Sequence, residues 1–211
     1  MVSADLKKFE EEPITRQMIL SVLKDYKRPN DKISELVKSG ILTIIKNGLY
    51  IPGTNIEILK PEPFLISNHL WGPSYVSLDA ALSYWGLIPE RVYEITAVTL
   101  KKSKTYNTKA GRFSYKTAPL PYYSFGIINE ALSAKQMILI ACREKALCDK
   151  IIMTPGVLLR SISQTLDFLV NDLRIDEDQL STLDTKKITT WVEDAPKSSS
   201  LQILIKALQS L

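Results

Sequence analysis

Residues 30–53 read NDKISELVKSGILTIIKNGLYIPG, a stretch that orders a short helix, a glycine stop and a tight hairpin without interruption. Ile33, Leu36 and Val37 recur at helical spacing on one face, Asn30 can cap the helix by accepting from a free backbone N–H, and Gly40 suits the left-handed residue that ends it. Asn47-Gly48 then predicts a two-residue type I′ turn, because both central positions need positive φ, which glycine takes freely and asparagine tolerates. Such a turn pairs Lys46 with Leu49, Ile45 with Tyr50 and Ile44 with Ile51. It also sets Leu42, Ile44, Leu49 and Ile51 on the face that packs against the helix. This order is the second half of a winged helix-turn-helix. Asp31 to Ser39 is then the helix expected in a DNA major groove. Ile41 to Pro52 is the wing, with Lys46 and Asn47 at its tip against the phosphate backbone.

Working outward, Thr15 is placed to cap an earlier helix in which Met18, Ile19, Val22 and Leu23 share a face, closed by Lys27-Arg28-Pro29. Only two clear helices precede the hairpin. The middle helix of a three-helix module is therefore shortened, or the polar lead at 1–13 replaces it. Lys60-Pro61-Glu62-Pro63 stiffens a connector and divides the chain into a winged helix at 1–60 and a larger unit at 64–211. Beyond it, helices are predicted at Phe64–Leu70 and, capped by Ser77, at Leu78–Trp85. Strands are predicted at Val92–Leu100, Gly111–Thr117, Tyr122–Ile128 and Gln136–Ala141. The last third reads as helices at Arg143–Met153, Ser161–Leu173, Asp176–Leu183, Thr185–Val192 and Ser199–Ser210. The fold class is α+β, with a mostly antiparallel sheet and a helical C-terminal part.

At 211 residues and 45% hydrophobic content the chain can bury a core in each unit. No apolar run approaches the roughly 20 residues that span a bilayer, and acids in MVSADLKKFEEE oppose a signal peptide, so no membrane partner and a cytoplasmic location are expected. A net charge of +4 decides little, but its distribution is informative. Residues 14–53 hold seven Lys/Arg against three acids, and residues 91–116 hold seven against Glu94 alone. Residues 167–194 instead hold eight acids against three basic residues. Lys27, Arg28, Lys32, Lys38, Lys46 and Asn47 are the candidate DNA contacts, although Glu35 interrupts the helix with a charge that phosphates repel. The segment KKSKTYNTK at 101–109, expected as a loop between strands, offers Lys101, Lys102, Lys104 and Lys109, with Arg112 just beyond, as a second basic contact. Tyr106 is available there to stack.

Chemistry of turnover has no visible machinery, so no catalytic residue, metal or cofactor is assigned and the chain is read as no enzyme. His69 is the only histidine, which removes multi-histidine metal sites and Ser-His triads by count. Cys142 and Cys148 match no zinc or redox spacing and read as buried free thiols. Glu144 and Asp149 lie five apart on a helix and face different ways. The aromatic residues Trp71, Tyr75, Tyr84, Trp85, Tyr122, Tyr123 and Phe125 are expected mostly in the core. A nuclease reading of the basic segments lacks clustered carboxylates for metal ions.

The winged half ending in GLYIPG, YVSLDAALSYWGL at 75–87, GRFSYKTAPLPYYSFGI at 111–127 and REKALCDKI at 143–151 stand in one order. Together they resemble the antitoxins of AbiE-type abortive-infection, type IV toxin–antitoxin systems, over roughly residues 14–155. The resemblance implies an antitoxin that binds operator DNA through its winged helix, represses its own operon, and opposes a nucleotidyltransferase-like toxin through its second domain. This sequence departs from the pattern in placing Ile33, Ser34 and Glu35, rather than arginine, at the centre of the DNA-facing helix. A stand-alone winged-helix regulator whose second domain senses a ligand or dimerises is the alternative.

Overall fold

Thr15 marks the point where the chain turns from extended to helical, its hydroxyl accepting from the Met18 amide at 3.3 Å. The computed structural model describes residues 5–211, so the first four residues of the polar lead lie outside it. A short helical turn ending at Lys7–Phe9 leads into β1 (Ile14–Thr15), α1 (Arg16–Val22), α2 (Pro29–Lys38), β2 (Leu42–Lys46) and β3 (Leu49–Pro52). The strands form a sheet ordered β1-β3-β2. The polar lead thus supplies the remaining helical turn of the module. Its Leu6 joins Ile14, Ile19, Leu23, Ile33, Leu36, Leu42 and Tyr50 in one core.

Two local expectations are corrected. Proline at the first helical position starts α2 two residues early, since its fixed φ suits the helix and its missing N–H costs nothing there. Asn30 therefore lies inside the first turn and caps nothing. Its side-chain oxygen accepts from Arg16 at 2.7 Å. The hairpin keeps the expected Lys46–Leu49 pair, but only Gly48 of the two turn residues takes positive φ, so the turn is not type I′, and the register then slips: Ile44 pairs with Tyr50, Thr43 with Ile51 and Leu42 with Pro52. Ile45 is the extra residue of a bulge, which turns it inward and leaves Ile44 47% exposed. The slip has a physical reason, because the hairpin must satisfy two apolar surfaces. Leu42 and Tyr50 meet the helices, while Ile45, Leu49 and Ile51 meet the rest of the chain.

Pro63 opens α3 (Pro63–Leu70), followed by β4 (Ser74–Val76), α4 (Leu78–Tyr84), β5 (Glu94–Thr99), β6 (Lys104–Thr108), β7 (Gly111–Thr117), β8 (Ile127–Ala131) and β9 (Met137–Ala141). Their sheet runs β6-β7-β5-β4-β9-β8. The β5–β7 and β4–β9 pairs are parallel and the other three antiparallel, so the sheet is mixed. The end of the chain is helical: α5 (Arg143–Met153), α6 (Ile162–Asp167) running into a π turn at Phe168–Asp172, α7 (Glu177–Ser181), α8 (Thr185–Trp191) and α9 (Ser198–Leu208). The class is α+β, as read from sequence. Three pieces differ from expectation, the first being β4, an interior strand where none is predicted. Lys104–Thr108 is an edge strand rather than loop, and Tyr122–Ser124 is a 3-10 turn rather than the start of a strand. The 3-10 turn points the Tyr122 hydroxyl to Asp149 at 2.8 Å, an acceptor that no sequence period announces.

Candidate nucleic-acid interface

The hairpin's bulge and the last turn of α3 bring the two basic segments together. Ile45, Leu49 and Ile51 pack with Ile66, Leu70, Ala97, Phe113 and Tyr115 in a core that crosses the Pro61–Pro63 connector. On that base Lys46 reaches the body, its ammonium donating to the Leu70 carbonyl, one of the free acceptors at the C-terminal end of α3. Beside it stands Trp71. Lys101 and Lys104 hold their ammonium groups 4.9 and 4.7 Å from its ring centre, and Lys104 is also 4.7 Å from Tyr106. The indole N–H donates to the Lys102 carbonyl at 3.1 Å, which fixes the segment against the ring. Burial, then Lys101 and Lys104, push the Lys46 pKa down. Lys46, Lys101 and Lys104 are therefore neighbours, and none has a carboxylate within 4.0 Å among the described residues.

The other candidates are placed differently. Lys27, Arg28, Lys38 and Asn47 are exposed, and Lys27 and Lys38 make no ion pair among the described residues. Arg28 lies 3.8 Å from Asp31, and Lys32 is held at 2.6 Å by Glu35, so much of the charge on α2 is matched within it. Its open side is a shallow groove lined by Asp31, Ser34, Glu35, Lys38 and Ser39. Near the wing, the Arg16 amide donates to the Gly48 carbonyl at 2.9 Å, so that the start of α1, the start of α2 through Asn30, and the wing turn adjoin. Strand alternation separates the second basic set. Lys104 pairs with Tyr115 on the Trp71 side, whereas Arg112 lies on the opposite face, 3.3 Å from Glu94. Lys109 is exposed in the β6–β7 turn.

Sequence reading missed Trp71 as the centre of this surface, having placed it with the core aromatics. It also passed over a buried polar cluster. Lys145 and Asp149, one helical turn apart on α5, are both fully buried with a 3.3 Å ion pair. Asp149 further accepts from the hydroxyls of Tyr75, Ser77 and Tyr122 at 3.0, 2.7 and 2.8 Å, and Lys145 donates to the Tyr122 carbonyl at 2.8 Å. The i, i+4 spacing in REKALCDK was the available signal. Glu144 faces away, accepting from the Asp184 amide at 3.1 Å. Cys142 and Cys148 are free thiols, the second fully buried. Tyr75, Tyr122 and Tyr123 are buried, while Tyr84 is exposed and Trp71, Trp85 and Phe125 are half-buried. Among the described residues no group of three or more His, Cys, Asp or Glu side chains could hold a metal, and no helix is long and apolar enough to cross a membrane.

No family model and no curated protein matches the chain. Among solved structures, the crystal structure of the RV2827C protein from Mycobacterium tuberculosis is similar, with a TM-score of 0.64 at 13% identity over 98% of this chain and 75% of that one. Similarity at that identity bears on the fold alone.

Proposed function

We propose that this chain is an antitoxin that occupies operator DNA through its winged helix and opposes a nucleotidyltransferase-like toxin with the body. The observation that carries the DNA half is the surface built where the starts of α1 and α2 meet the wing turn. There Arg16, Lys27, Arg28 and Asn47 stand exposed, with Lys38 further along α2. The matched charges of Lys32 and Glu35 leave the helix few free cations, so phosphate contact sets the affinity and base readout contributes modestly. The toxin half rests on the ordered motifs that resemble the antitoxins, and on the acidic helical end, whose Glu177, Asp178 and Glu193 are exposed. Operator binding is tested by titrating the chain's own upstream DNA. Changing Lys27, Arg28 and Lys38 together to alanine is expected to weaken binding by a similar factor on every sequence tried. Wild-type binding no tighter to that DNA than to unrelated duplex overturns the repressor reading. Growth rescue on co-expression with the neighbouring gene product tests the other half.

A stand-alone regulator is favoured by a different observation, a cleft of about 390 Å³ lined by Glu62, Pro63, Phe64, Tyr84, Ile95 and Leu132. It lies in the body and takes in the end of the connector at Glu62 and Pro63. An isolated gene, with no nucleotidyltransferase-like neighbour, decides for this reading.

A further inference from the structure

We infer that the body carries the wing's phosphate contact: Lys101 and Lys104, set on Trp71 beside the hairpin, grip the backbone of a DNA duplex that the winged helix engages. This rests on the operator reading above and extends it to the second domain.

In a free-standing winged helix the hairpin projects and its own lysine meets a phosphate. Here the hairpin is buried on both faces, with Leu42 and Tyr50 against one core and Ile45, Leu49 and Ile51 against another. Its lysine is committed to the Leu70 carbonyl. The cations that stand beside that lysine come from the body. Lys101 and Lys104 flank Trp71, are exposed, and have no carboxylate within ion-pair distance among the described residues. Three ammonium groups gathered without a counter-charge repel one another, and a polyanion relieves that repulsion while releasing its own condensed counterions. The Trp71 ring holds the two side chains through contacts to their charged heads, so less side-chain freedom is lost when a phosphate arrives. Trp71 is itself fixed by its N–H bond to the Lys102 carbonyl. A duplex suits the site better than a single strand, because the ammonium groups over Trp71 and Tyr106 compete with any base for the same rings.

The test uses the full chain, its upstream duplex and a series of salt concentrations. Lys101→Gln with Lys104→Gln removes both charges and leaves polar side chains in their place. The slope of log K against log salt is expected to become shallower by about 1.8, at about 0.9 for each phosphate no longer neutralised. A control pair, Lys186→Gln with Lys206→Gln, removes the same charge from the helical end and is expected to leave the slope unchanged. Wild-type operator binding with an unchanged slope in the first variant, or an equal change in the control, overturns the inference while leaving the operator reading intact. Absence of operator binding by the wild-type chain overturns the operator reading, and the inference with it.

Discussion

The Lys145–Asp149 pair shows how one carboxylate can organise a core. Asp149 accepts three hydroxyl hydrogen bonds besides its ion pair, while Lys145 donates only to Asp149 and the Tyr122 carbonyl and otherwise rests over the Tyr122 ring. The two ends are therefore unequal. Asp149→Ala strands a buried ammonium and three hydroxyls, and is expected to cost about 3–5 kcal/mol in urea denaturation. Lys145→Met leaves the carboxylate with three donors and is expected to cost less than Asp149→Ala under the same conditions. Equal losses would mean that the hydroxyls contribute nothing to holding the charge. The same region fixes the response to alkali. Burial pushes up the Tyr75, Tyr122, Tyr115 and Cys148 groups, and takes the Cys142 thiol to about 11. Each of these groups holds its proton more tightly folded than unfolded, so its contribution is complete below its unfolded value and is lost as pH rises. Burial lowers Lys46, Lys145 and Lys197, which act in the opposite sense, but they are outnumbered. Stability is expected to be level near neutrality and to fall from about pH 9, the ordinary thiol value, upward. A urea midpoint at pH 10.5 equal to or above that at pH 7.5 would contradict this balance.

At the scale of the element, the hairpin depends on two glycines for different reasons. Gly48 has φ +81° with open space around its α-carbon, whereas a Cβ at Gly53 would stand 2.0 Å from the Gly40 carbonyl oxygen. Gly48→Ala is therefore expected to cost only the left-handed backbone term, about 1–2 kcal/mol. Gly53→Ala must displace backbone, and the chain cannot keep both the Gly53 N–H bond to the Ile41 carbonyl at 2.8 Å and the new methyl. Its loss in denaturation midpoint is expected to exceed that of Gly48→Ala clearly. The comparison also shows what sequence carries and what it does not. Asn47-Gly48 announced the turn, and the helical spacing of Ile33 and Leu36 announced α2, because these are local signals of backbone and period. The bulge at Ile45 was illegible, since it answers a demand from Phe113 and Tyr115, more than sixty residues away in sequence. The run 101–109 read as basic loop because lysines hide strand alternation. Trp71 read as core because nothing local shows that the chain lays lysines over it. The α+β class and most helix limits were therefore legible, while the surface that gathers Lys46, Lys101 and Lys104 belongs to tertiary packing.

For the whole molecule, the interdomain core decides whether two units behave as two. A connector with two prolines reads as a boundary between units, yet Ile45, Leu49 and Ile51 on one side and Ile66, Phe113 and Tyr115 on the other are buried against each other. Polar contacts close a second side: Glu11 accepts from Gln136 at 3.2 Å and from Ser133, and the Glu62 amide donates to Gln136 at 2.7 Å. Full burial of one aliphatic side chain is worth about 1.5–3 kcal/mol, so three at this interface outweigh the freedom that a flexible connector would return. The chain is then expected to unfold in one transition, followed alike by tryptophan fluorescence, which reports only on the body, and by far-ultraviolet circular dichroism. Ile45→Ala opens the shared core, not either private one, and is expected to cost about 2–5 kcal/mol while letting the two probes separate. Operator DNA adds a second reading of the same coupling. If the duplex is held by both units, it raises the single midpoint of the wild-type chain and draws the separated transitions of Ile45→Ala back together, because binding then favours only the joined form. A duplex that shifts the N-terminal transition of that variant and leaves the tryptophan-detected one unmoved would show that the winged helix holds DNA alone.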